Sequence, residues 1–82
     1  MALFVALFSC DDEESARRLA NAILVAGLEP ALTPPRLPDE PWRVHAPAEL
    51  EPTLANLAEL HEAMGEAAVR AGARFHSIHE GP

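Results

Sequence analysis

Residues 2–8 are apolar without interruption, and Ser9 and Cys10 then lead into four consecutive acids, Asp11, Asp12, Glu13 and Glu14. Seven residues make only about two turns of helix, too few for a buried one. A strand of that length needs no polar side if both its faces are covered. The segment therefore belongs in the middle of a sheet, and the rest of the chain has to supply its neighbours and its cover.

The following residues read as a helix. Ser9 with Asp12 three positions on has the form of a capping box, and the acids place negative charge at the positive end of a helix dipole. Ala16, Leu19, Ala20, Ile23 and Ala26 recur at spacings of three and four, with Glu14, Arg17, Arg18 and Asn21 opposite. Gly27 suits the C-terminal cap. Residues 28–33 form a short second strand, and Pro30 in it confines that strand to an edge. Five of the eight prolines fall between positions 30 and 41, which predicts a stiff loop. Trp42, Val44 and Ala46 then alternate with Arg43 and His45, a third strand with one covered face.

A second helix is expected from about Glu51, with Pro52 at its first position, Leu50 as a staple and Gly72 at its end. Its apolar stripe is Leu54, Leu57, Leu60, Met64, Ala67, Ala68 and Ala71, with Glu59, Glu62, Glu66 and Arg70 opposite. Leu19, Ile23, Leu57, Met64 and Phe75 are the expected core. Residues 73–79 alternate around Phe75 as a fourth strand, and Glu80, Gly81 and Pro82 read as a frayed tail. The order β-α-β-β-α-β specifies an α+β, ferredoxin-like single domain over residues 1–82, a four-stranded antiparallel sheet with two helices on one face. Its first and third strands are central, which suits the apolar run, and its second is an edge, which suits Pro30.

Composition narrows the function. The 82 residues carry six basic and thirteen acidic side chains for a net charge of −7, and every basic one is Arg. Nucleic acid is bound through clustered cations, whereas these arginines are spread over positions 17, 18, 36, 43, 70 and 74. An acidic surface suits solubility or a basic protein partner, and the run Asp11, Asp12, Glu13 and Glu14 is the candidate contact. The lone Cys10 excludes an internal disulfide, so a cytoplasmic location is expected. The opening residues mimic a lipoprotein leader but lack its positively charged start, and no run reaches the length of a membrane span.

The chemistry-bearing residues do not assemble into a catalytic motif. His45, His61, His76 and His79 lack metal-ligand spacing, and His76 and His79, three apart on a strand, are expected on opposite faces. His61 reads as a boundary residue with a hydrogen bond. Cys10 has no paired base, and the adjacent acids disfavour its thiolate. Ser9, Ser15 and Ser77 lack a nucleophile-elbow context. Residues 3–7 echo the first-strand motif of RNA-recognition domains, but residues 41–46 lack the basic, aromatic third-strand motif. No cofactor, metal or direct nucleic-acid contact is therefore expected. What stands out is the sheet face away from the helices, where Arg43 with His45 and Arg74 with His76 flank a central strand apolar on both sides. Such a face wants cover from a second copy of the chain, a partner protein or a small ligand. A homodimer is the simplest arrangement. A ligand-binding or enzymatic role through Arg43, His45, Arg74 and His76 is the alternative.

In order, Phe8, the acidic helix start at residues 11–16, Leu24 to Gly27, the segment Trp42, Arg43 and Val44, and the segment Gly72 to Phe75 resemble the regulator of ribonuclease activity B family. That family shares the β-α-β-β-α-β domain. At its end it has an aromatic followed by Asp-Gly-Trp, where this chain has Phe75 followed by His76, Ser77 and Ile78, and the family's acidic N-terminal extension is absent. The resemblance implies an acidic, non-catalytic regulatory protein that binds a ribonuclease and inhibits it.

Overall fold

The apolar opening segment takes the central place its composition requires. The computed structural model describes residues 1–81. Their elements are β1 (Ala2–Cys10), α1 (Glu13–Val25), β2 (Ala31–Thr33), β3 (Trp42–Leu50), α2 (Leu54–Ala71) and β4 (Arg74–Glu80). One antiparallel sheet of order β2-β3-β1-β4 results, the ferredoxin-like α+β arrangement. Among the described residues no helix is long and apolar enough to cross a membrane.

Strand periodicity sorts β1 into two sets. Phe4, Ala6, Phe8 and Cys10 point into the core with Val44, Ala46 and Ala48 of β3, and α1 and α2 cover them with Leu19, Ile23, Leu60 and Met64. Leu3, Val5 and Leu7 lie on the other face and are half-buried. The two helices are tied together where α1 begins and α2 ends: the buried Ser15 hydroxyl donates to the Ala71 carbonyl at 2.9 Å. Both helices stop as their glycines dictate. Gly27 (φ 92°) and Gly72 (φ 70°) adopt the left-handed conformation, and the Leu28 and Ala73 amides close Schellman bonds to the carbonyls of Ile23 and Ala68.

Several boundaries differ from the sequence expectation, each for a local reason. The cap of α1 is Asp12, which accepts the Ser15 amide at 2.8 Å, while Ser9 belongs to β1. Ala26 is an exposed cap residue and not part of the stripe. α2 starts at Leu54, because Thr53 caps it by accepting the Asn56 amide at 3.1 Å, and Pro52 precedes the helix. Leu54 is 88% exposed, Leu57 is half-buried and Leu60 is 8% exposed, so the helix joins the core only in its second turn.

β2 is shorter than expected and begins after Pro30. β3 in turn runs past Ala46 to Leu50. β2 pairs only with residues 43–45, so at Pro47 the strand has no neighbour on that side and a missing N–H interrupts no ladder there. Phe75 is half-buried because β4 is an edge. Its ring lies 5.2 Å from that of Phe8 and 4.9 Å edge-on from the exposed His61, which packs against it where a hydrogen bond was expected. The end of β4 is anchored, since Glu80 is in the strand and the Gly81 amide donates to the Leu3 carbonyl at 2.6 Å. Pro82, read as part of a frayed tail, lies outside the described residues.

Candidate functional site on the open sheet face

Antiparallel pairing puts partners on the same face, so the register alone assembles the site. Ser9 is the last residue of β1 on the open face, and it is flanked by Arg43 on β3 and Arg74 on β4. In the next row Leu7 is flanked by His45 and by Ser77. Between Phe75, opposite Phe8, and Ser77, opposite Leu7, His76 is an extra residue: a β-bulge. His76 keeps the open face it shares with Arg74, where its Nε2 lies 2.7 Å from Ser9 Oγ, and the bulge brings Ser77 onto that face as well.

The same bulge corrects the placing of His79. It pairs with Val5 and lies 2.7 Å from Ser77 Oγ, so His76 and His79 share the open face and do not point to opposite faces. Among the described residues no three His, Cys, Asp or Glu side chains are gathered in a metal-binding group.

Arg43, His45, Arg74 and His76 thus line one cleft of about 440 Å³, together with Leu7, Phe8, Ser9 and Pro41. Arg74 Nε donates to Ser9 Oγ at 3.1 Å, and its Nη1 donates to Asp11 Oδ1 at 2.8 Å. Two anchors of this kind fix a guanidinium plane that would otherwise sample many rotamers. Ser9, nearly buried, accepts from Arg74 and shares a second hydrogen bond with Nε2 of His76, so one hydroxyl joins both side chains. Arg43 has no hydrogen bond or ion pair among the described residues.

The acidic run is arranged differently. Asp11 holds Arg74, Asp12 caps α1, and Glu13 and Glu14 reach Arg17 and Arg18 one turn on at 3.3 and 3.7 Å. All four are exposed, and each has an intramolecular partner. Cys10 has no exposed surface, and burial pushes its thiol above the ordinary value; Arg74 opposes this, while Asp11 and Asp12 add to it. A thiol so placed is a packed core group with little thiolate character.

A second cavity of about 440 Å³ lies beyond the helical layer's end, floored by Leu28, Leu50, Leu60 and Met64 and rimmed by Glu49, Glu51 and Glu59. Sequence reading identified Arg43, His45, Arg74 and His76 of the open-face cleft but passed over Ser9, which joins two of them. The signal was present: Ser9 is the one polar residue in the set Leu3, Val5, Leu7 and Ser9. No family model matches this chain, and a search of curated proteins also finds no match.

Proposed function

We propose that this chain is a non-catalytic regulatory module that binds another protein through the open face of its sheet, and that the partner is a ribonuclease whose activity it lowers. The observation that carries this reading is the uncovered face of β1: Leu3, Val5 and Leu7 are half-buried, with neither helix nor strand over them. Covering such a stripe releases its water, and the flanking Arg43, His45, Arg74 and His76 supply the polar rim that protein interfaces have. The ribonuclease is named from the resemblance of the chain's spaced apolar, acidic and glycine positions to the regulator family.

The test is a ribonuclease of the same organism assayed on a fluorogenic RNA, with and without the purified chain. The expected result is a dose-dependent fall in cleavage that Val5→Asp abolishes while the circular dichroism spectrum stays native. Cleavage unaffected by the wild-type chain refutes the ribonuclease assignment. Inhibition that survives Val5→Asp refutes the face.

A further inference from the structure

We propose that the cleft around Ser9 is a binding site for a compact oxyanion, a phosphoryl or carboxylate group borne by a small molecule. This goes beyond partner docking and does not depend on it. In a chain of net charge −7 with six arginines, two of them stand in one lateral row on either side of Ser9, and two histidines stand beside them. No carboxylate is among the residues that line the cleft, so its two arginines meet no acid inside it. Two acids stand outside it: Asp11 holds Arg74, and Glu40 lines the adjoining pocket with Arg43 without an ion pair to it.

The donors are also prepared in advance. Ser9 and Asp11 engage Nε and Nη1 of Arg74, which leaves Nη2 unengaged, and Arg43 has its whole guanidinium uncommitted among the described residues. Leu7 and Pro41 supply apolar walls that strengthen charge-assisted bonds by thinning the water around them. A volume of about 440 Å³ admits a small metabolite and not merely a single ion.

Arg43 is the residue to test, because its side chain supports nothing else in the fold, whereas changing Arg74 would disturb Ser9 and Asp11 as well. The full chain, labelled with nitrogen-15, is titrated separately with inorganic phosphate and with malonate at constant ionic strength, and amide shifts are followed. Saturable shifts centred on residues 7–9, 43–45 and 74–76 are expected with at least one of the two anions. Preference for phosphate assigns a phosphoryl ligand, and preference for malonate a carboxylate. Arg43→Gln should weaken the preferred anion about tenfold, the loss of one charge-assisted hydrogen bond. Arg70→Gln, on the far side of the helical layer, should leave the affinity unchanged. Shifts that fail to saturate with either anion overturn the site. So does an Arg43→Gln chain that binds as the wild type does, or an Arg70→Gln chain that loses as much.

Discussion

The three leucines at the start of α2 offer a graded test of how the helix meets the sheet. Leu54, Leu57 and Leu60 share a stripe in the sequence, yet Leu60 is 8% exposed, Leu57 is half-buried and Leu54 is 88% exposed. A buried Leu→Ala change costs about 2 to 5 kcal/mol, the lost transfer energy plus the cavity left behind. Leu60→Ala should fall in that range. Leu54 keeps only an eighth of its side chain out of water, so of a full transfer energy of about 2.5 kcal/mol it loses roughly 0.3, and alanine's better helix propensity offsets part of that. Leu57→Ala should lie between, at about 1 kcal/mol.

The whole domain is worth only about 4 to 12 kcal/mol at the usual stability per residue, so the Leu60 change should be conspicuous. In urea titrations followed by circular dichroism, with a slope of about 1 kcal/mol/M, Leu60→Ala should lower the midpoint by roughly 2 M or more. Leu54→Ala should leave it nearly in place, and the slope should be unchanged in all three. Equal shifts for Leu54→Ala and Leu60→Ala would refute the docking of α2 described above.

Three further outcomes are expected. Ser15→Ala leaves the buried Ala71 carbonyl without its partner and should cost about 1 to 2 kcal/mol in the same titration. Within the acidic run Asp12→Ala should cost about 0.5 to 2 kcal/mol as a lost helix cap, while Glu13→Gln and Glu14→Gln together, whose salt bridges are exposed, should shift the thermal midpoint less. The raised thiol of Cys10 also sets a direction with pH. The unfolded chain ionises near 9.0 and the folded chain only at higher pH, so stability is fully present below that value and falls as pH rises past it. With no Lys and no Tyr in the chain, little else titrates there, and Cys10→Ala should flatten the decline between pH 9 and 11.

How far the sequence could be read depended on whether the deciding interaction was local. Gly27 and Gly72 ended their helices as expected because left-handed backbone is a property of one residue. The apolar run and Pro30 together placed the central strand and the edge, since each is incompatible with the other position. The alternation was followed only to Ala46, and the run of β3 through Pro47 to Leu50 depends on how short β2 is, which is not local information. The bulge at His76 depends on pairing with β1, but it left a trace: Phe75 and Ile78 both pack against the core although they are an odd number of residues apart. In a regular strand that spacing sends them to opposite faces, so one extra residue between them was already required. The two arginines and two histidines of the cleft were legible as a face, whereas the hydrogen bonds that lock Arg74 and His76 onto Ser9 required the fold.

Pro47 and the His76 bulge sit on opposite sides of the sheet, and together they govern how copies of this chain can meet. Past His45, the partner of Ala31, the outer margin of β3 is bare, and an unpaired margin invites another chain to add a strand to it. Pro47, with no N–H to offer, breaks that template partway along. On the far side the bulge kinks β4 and upsets the even spacing of its outward amides and carbonyls, with charged or polar Arg74, His76, His79 and Glu80 crowding the rim. Neither margin is a straight ladder that a neighbour could extend, which disfavours the edge-to-edge pairing that builds continuous sheets and fibrils.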